Sequence, residues 1–229
     1  MLEKNKIYHV DCLEGLKYID DSSIDLLIAD YPFNCQDGKQ DYDLFIKETS
    51  HHFFRVLKEN CILIVINNPK NIFKYSHHFS DFQLRDNLIL MRKSTIRPAW
   101  HFAFKHNICQ ILIKPQKDGK INIKHKWNGT KKNHDKEFMT DLINYQNGYL
   151  NGKDSHPQAI PLTLTKQLIE LFSDKNDLIL DPFFGSGTTG VACKELHRDY
   201  MGFEYFIKYV ELARRRLTKD IIKTILKVS

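Results

Sequence analysis

Two stretches of this sequence carry residue types whose order and spacing suit chemistry. The first is Asp30-Tyr31-Pro32-Phe33-Asn34, which follows directly on the apolar run IDLLIA at residues 24–29. Such a run reads as a short buried strand, so the segment sits just past a strand's C-terminal end, where open α/β sheets hold their ligands. The second is Gly185-Ser186-Gly187-Thr188-Thr189-Gly190, which satisfies G-x-G-x-x-G, with Glu204 standing 19 residues beyond the first glycine. Glycines there let a ligand approach the backbone, and an acid at that distance can accept hydrogen bonds from ribose hydroxyls. A glycine-rich turn between strand and helix also serves plain tight packing; the terminal acid favours nucleoside binding over that use. No Lys-Ser/Thr pair follows the glycines, which excludes a phosphate-gripping P-loop.

The glycine stretch opens as Asp181-Pro182-Phe183-Phe184. A carboxylate at this strand tip would repel a diphosphate. It can hold the ammonium group of a cofactor that has a cationic sulfonium and an amino-acid tail, so the charge favours S-adenosylmethionine over NAD.

The elements that must position these groups follow from hydrophobic periodicity. Residues 7–10 and 24–29 read as strands around a helical stretch at 13–19, a βαβ opening. A helix over about 42–58 precedes CILIVI at 61–66, a strand without alternation and therefore buried on both faces. From about 86 to 152 short β-like runs (NLILM, ICQILIK, INIKH) alternate with polar, Lys-rich loops, which reads as an insertion. The α/β pattern resumes with a helix at 160–172, a strand at 177–180 into the glycine stretch, a further helix, a strand at 200–203 and an amphipathic helix at 206–228. The expected fold is a Rossmann-like α/β sheet with helices on both faces. Its expected organisation is a catalytic half at 1–85, an insertion at 86–155 and a cofactor-binding half at 156–229.

In these residues the chain resembles the DNA amino-methyltransferases. D-P-F-x-G-S-G-T-T followed by G-F-E is similar to that family's cofactor motif F-x-G-x-G, matched by Phe183, Gly185 and Gly187. Asp30-Tyr31-Pro32-Phe33 stands where the family has Asp-Pro-Pro-Tyr, and its place ahead of the glycine motif is the order of the β class. Asp11-Cys12-Leu13-Glu14-Gly15-Leu16 resembles the opening G-D-x-L segment, and His156-Pro157-Gln158-Ala159-Ile160-Pro161-Leu162 resembles H-P-x-x-K-P-L with isoleucine for the lysine. The resemblance covers residues 7–66 and 156–206, and the insertion at 86–155 falls where the β class has its target-recognition region. It implies S-adenosylmethionine as cofactor, held by Asp11, Cys12, Asp30, Asp181, Phe183, Gly185, Gly187 and Glu204. It also implies a catalytic set of Asp30, Tyr31, Pro32 and Phe33, acting on an exocyclic amine of a base in double-stranded DNA. In the family the amine's two N–H groups are accepted by the acid's side chain and by the next residue's carbonyl. Tyr31 for proline keeps that carbonyl, Pro32 still restricts Tyr31 to extended backbone, and Phe33 for tyrosine keeps the ring face. Asp rather than Ser at the head of the tetrapeptide favours adenine over cytosine. Homodimers and cognate restriction enzymes are frequent around such enzymes and are expected here only by analogy.

The chain's 229 residues, 42% hydrophobic and 27% charged, suit one sizeable core and exclude disordered, collagenous and repeat architectures. No apolar run is long enough to span a bilayer and the start MLEKNK lacks a signal peptide's apolar stretch, so a cytoplasmic protein is expected. The five cysteines are scattered singly and read as reduced packing thiols. His51-His52 and His77-His78 read as packing, and no metal is expected. Residues 114–136 hold eight lysines and two acids, a net +6 that equals the formal charge of the whole chain. Lysine-rich loops are commonly plain solvated surface. In a base-modifying enzyme this one suits DNA, with Lys124, Lys126, Lys131 and Lys132 on phosphates and Trp127, Asn128, His125 and His134 as candidates for stacking and base-edge contacts. Other classes stay open at this point: cytosine-N4 methylation, a DNA-binding relative inactive through Tyr31 and Phe33, and an NAD-dependent oxidoreductase, which Asp181 disfavours.

Overall fold

The computed structural model describes residues 2–32, 41–96, 104–122, 141–145 and 160–228. Phe33, Asn34, residues 123–140 and residues 156–159 lie outside them, and with them Lys124, Lys126, Trp127, Lys131 and Lys132.

The elements in chain order are β1 (Lys6–His9), α1 (Cys12–Leu16), β2 (Ile24–Asp30), α2 (Tyr42–Val56), β3 (Leu57–Asn67), α3 (Pro69–Tyr75), a 3-10 turn at Ser76–Phe79, β4 (Gln83–Ile96), β5 (Phe104–Ile113), β6 (Leu142–Tyr145), α4 (Leu162–Phe172), β7 (Leu178–Asp181), α5 (Thr188–Glu195), β8 (Asp199–Glu204) and α6 (Ile207–Val228). The eight strands form one sheet in the order β1-β8-β7-β2-β3-β5-β4-β6. Every pairing is parallel except the two made by β5.

Strand alternation sorts the side chains into two cores. On β2 and β3, Leu26, Ile28, Ile62, Ile64 and Ile66 face one way, against Leu164, Leu168 and Phe172 of α4, Ala192 of α5 and Val210 and Leu217 of α6. Leu27, Ala29, Leu63 and Val65 face the other way, against Leu16 of α1, Phe45 and Phe53 of α2 and Ile72 of α3. Both faces of the central strands are thus covered, which explains why their sequence is continuously apolar. The expected α/β sheet with helices on both faces is the observed one, and helices from the two halves of the chain take opposite faces.

Two features were not legible in the sequence. α3 and the 3-10 turn, unrecognised in the sequence, follow β3 directly: Asn68 caps α3 by accepting from the Asn71 N–H, with Pro69 in the first turn. The division at residue 86 falls inside β4, and β4 and β5 are members of the central sheet. β5 runs back between β3 and β4, with Ile64 opposite Ile111 and Ile111 opposite Asp86. These runs look like insertion strands locally, since nothing in residues 86–113 reveals which neighbour they pair with.

Candidate active site

The parallel strands β1, β8, β7 and β2 all end at one edge of the sheet. From β7 the chain crosses through α5 to β8 on one side, whereas from β2 it crosses through α2 to β3 on the other. The crevice between the tips of β7 and β2 is therefore the switch point at which open α/β sheets bind ligands. Asp30 ends β2 and Asp181 ends β7. Both line one cleft with Ile28, Phe183, Gly185 and Ser186.

The β7–α5 turn is built by backbone constraints that favour glycine. Gly185 and Gly187 have φ of 51° and 82°, the left-handed region. A Cβ on Gly187 would also come within 2.8 Å of the Ala213 side chain on α6. Phe184 turns back under the loop, its N–H donating to the Phe203 carbonyl at 2.9 Å and its ring stacking on Tyr200 at 5.7 Å. Gly202 leaves room for that ring, which a side chain there would displace. From α6, Arg216 donates to the Ser186 carbonyl (2.6 Å) and hydroxyl (2.8 Å).

Two acids are buried at this loop. Glu204, 8% exposed, accepts from the Gly185 N–H at 2.9 Å through one oxygen and from the Phe206 N–H at 2.7 Å through the other. Burial raises its pKa, opposed by backbone N–H groups of Phe206, Gly185 and Tyr205. Asp181, 6% exposed, accepts from the Phe183 N–H (2.9 Å) and from the Thr189 hydroxyl (2.6 Å). Burial pushes its carboxyl up to about 6 in spite of those two bonds, and the Glu204 charge adds to the rise. A carboxylate retains lone pairs beyond one bond per oxygen, so both acids can still accept from a ligand.

The tetrapeptide divides its residues between site and core. Tyr31 is 2% exposed: its ring lies 4.9 Å from that of Phe183 and packs against Phe45, Phe53 and Phe79, and its hydroxyl is 2.6 Å from the Thr49 hydroxyl. The side chain that replaces the family's proline thus fills the core on the α2 face, which leaves only the backbone of Tyr31 for the site. Its N–H donates to the Ile66 carbonyl at 3.1 Å. The carbonyl of Pro32 accepts from the Tyr42 hydroxyl at 2.6 Å.

Asp11 caps α1, accepting from the Leu13 N–H at 2.9 Å, and stands two residues past His9, which pairs with Glu204. Cys12 is buried in the core behind it. The structure therefore gathers Asp30, Asp181, Phe183, Gly185, Gly187 and Glu204 at one sheet edge, with Asp11 at its β1 end. Sequence reasoning missed Thr189, Ser186, Thr188, Thr165 and Leu168, which also line the cleft, and the Arg216 clamp. The hydroxyls of Ser186, Thr188 and Thr189 were legible only as part of G-S-G-T-T, and nothing in the sequence singled out Thr165 on α4 or Arg216 on the amphipathic helix.

One further reading changes. Lys114, counted with the basic stretch, is buried: its ammonium donates to the Leu57 carbonyl at 2.7 Å and lies 4.9 Å from the centre of the Phe54 ring, so it serves packing. His77 and His78 sit beside Asp43, with ligand atoms within 4.8 Å of one another and a 3.0 Å hydrogen bond between His78 Nε2 and Asp43 Oδ1. That bond holds the Asp43 carboxyl below its ordinary range. Among the described residues no helix is long and apolar enough to cross a membrane.

Residues 24–215 match the family model of the N6/N4 DNA methylases. The chain is 29% identical to the type II methyltransferase M2.MboI of Moraxella bovis over 93% of its own length and 88% of that protein's. It is 28% identical to the type II methyltransferase M.HinfI of Haemophilus influenzae, over 93% and 68%. Among solved structures, the M1.HpyAVI–SAM complex superposes with a TM-score of 0.73 at 23% identity, covering 93% of this chain and 98% of that one. The PvuII cytosine-N4-specific DNA methyltransferase superposes with a TM-score of 0.78 at 19% identity, covering 93% and 86%. With the family model spanning both strand-tip motifs and the sheet that joins them, the chain belongs to the N6/N4 DNA methylase family and is a DNA amino-methyltransferase.

Proposed function

We propose that the protein transfers a methyl group from S-adenosylmethionine to the exocyclic amine of adenine in double-stranded DNA. The observation that carries this reading is Asp30 at the tip of β2, sharing a cleft with the Asp181–Gly187 turn. The residues of the cleft suit the cofactor. Asp181, a buried carboxylate that accepts from the Phe183 N–H and the Thr189 hydroxyl, suits an ammonium group, and Glu204 at the tip of β8 suits ribose hydroxyls. Asp11, at the outer end of that edge, suits the adenine. Bound there, S-adenosylmethionine supplies an electrophilic methyl on a sulfonium sulfur.

The rest is the work of the protein. An exocyclic base amine is a poor nucleophile because its lone pair is delocalised into the ring. Asp30 Oδ accepts one of its N–H groups and the Tyr31 carbonyl the other, which localises the pair and aims it at the methyl. The bond to Asp30 strengthens as positive charge develops on nitrogen, so it lowers the barrier more than it aids ground-state binding. The base must leave the duplex to reach the cleft, at a cost of a few kcal/mol, and stacking on Phe33 offsets part of that. The lysines of residues 123–136 contact phosphates. Aspartate at the head of the tetrapeptide supports adenine over cytosine, the second reading, which likeness to a cytosine-N4-specific enzyme keeps in view.

The test is to incubate enzyme, cofactor and unmethylated DNA, digest the DNA and identify the methylated nucleoside by mass. N6-methyl-2′-deoxyadenosine is expected; N4-methyl-2′-deoxycytidine would overturn the adenine assignment. Asp30→Ala should abolish methylation while cofactor and DNA affinities stay within about tenfold. Substantial methylation by that variant would place the chemistry elsewhere.

A further inference from the structure

We infer that Tyr42 and Asn67 are positioning residues for methyl transfer, a directed hydrogen-bond relay that fixes the Pro32 carbonyl and with it the described part of the catalytic segment, Asp30 to Pro32. The inference rests on the proposed role of Asp30.

The tetrapeptide has one proline fewer than the family pattern, and with Tyr31 in its place one backbone φ is free that a ring would lock. The structure shows what restrains the segment instead. On one side the Tyr31 N–H donates to the Ile66 carbonyl and the Tyr31 ring is buried. On the other, the Tyr42 hydroxyl donates to the Pro32 carbonyl at 2.6 Å, joining the last residue before the 33–40 segment to the first turn of α2 after it.

The proton's direction on that hydroxyl follows from Asn67, the last residue of β3, which is almost wholly buried. Asn67 Oδ1 accepts from the Asn68 N–H at 2.8 Å and from Asn71 Nδ2 at 3.1 Å, both at the start of α3. The carboxamide is thereby oriented with its NH2 toward Tyr42, and Asn67 Nδ2 donates to the Tyr42 oxygen at 3.1 Å. An oxygen that receives a proton from Asn67 must send its own elsewhere, and the Pro32 carbonyl is where it goes. The chain Asn71, Asn67, Tyr42, Pro32 thus runs in one direction, from the cap of α3 to the catalytic segment. Its members are separately modest, but a buried relay is strengthened by mutual polarisation.

Two variants separate positioning from packing. Tyr42→Phe keeps the ring against Tyr75 and Phe45 and removes only the hydroxyl. Asn67→Asp keeps the acceptor for Asn68 and Asn71 but offers Tyr42 a carboxylate in place of a donor, which draws the hydroxyl proton away from Pro32. Each should lower kcat by roughly three- to tenfold. KM for S-adenosylmethionine and for unmethylated genomic DNA should stay within twofold; Asn67→Asp lowers the melting temperature because it buries a carboxylate, so its rates are read below its own transition. The double variant should be no slower than the worse single one, because without the hydroxyl the charge at 67 has nothing to redirect. Asp30→Ala is assayed alongside. If it is dead while Tyr42→Phe turns over at the wild-type rate, the relay is overturned and the reading of Asp30 stands. Losses that add, or that appear in KM with kcat unchanged, make Tyr42 and Asn67 packing residues and overturn the relay equally. If Asp30→Ala is active, the underlying reading fails first and the relay with it.

Discussion

Asp181 is the residue whose energetics speak most directly of a ligand. A carboxyl held at about 6, against an ordinary 3.8, binds its proton more tightly in the folded chain than in the unfolded one. Stability of the ligand-free protein therefore falls as pH rises from about 4 through about 6, because ionisation of Asp181 opposes folding there. An ammonium group reverses the balance, since it favours the ionised form. Affinity for S-adenosylmethionine should accordingly be flat just above neutrality and weaken as pH drops through about 6, by up to roughly tenfold per unit. Calorimetry between pH 5 and 7.5 checks this, with Asp181→Asn expected to bind more weakly and to lose the acid limb. A pH-independent affinity in the parent protein would show that the cofactor's cation is held by some other group.

At the scale of elements, the glycine turn is shaped less by its own residues than by what β8 and α6 press against it. Phe184 occupies the space that Gly202 leaves on β8, and Ala213 of α6 closes over Gly187. Gly202→Ala forces the Phe184 ring out of its contact with Tyr200. The expected cost is about 1–3 kcal/mol of stability, the usual penalty of overpacking, read from urea denaturation. Because Phe184 also ties the turn to Phe203, cofactor affinity should drop with it. A variant as stable as the parent would mean that the ring has another place to go. The resemblance to G-F-E at residues 202–204 thus has a packing reason at its glycine beside the proposed binding role of its acid.

For the whole molecule, the two motifs, headed by Asp30 and Asp181, stand 151 residues apart in the chain and meet because β7 inserts between β8 and β2. The basic stretch falls in the span between those motifs, and with Lys114 buried its proposed contact with DNA rests on the other lysines. Neutralising Lys124, Lys126 and Lys131 together should weaken binding to all duplexes alike and flatten the plot of log K against log salt, by up to roughly 0.9 for each phosphate that the protein ceases to neutralise. Filter binding at four salt concentrations measures the slope. An unaltered slope returns the segment to solvated surface.

Local chemistry in the sequence was enough to determine the elements around both motifs, the three-layer character implied by continuously apolar strands, and the acids at the strand tips. Each depends on periodicity, on a turn that glycine permits, or on a carboxylate's position after a strand, and those properties belong to a few consecutive residues. Tertiary structure alone decided that β4 and β5 join the sheet, because strand pairing is a choice between partners that residues 86–113 do not record. It likewise decided that the Tyr31 side chain faces the core, that Lys114 is buried, and that Arg216, Tyr42 and Asn67 grip the two loops. Those roles depend on distances between residues 10 to 57 positions apart, which close only when the helices are laid on the sheet.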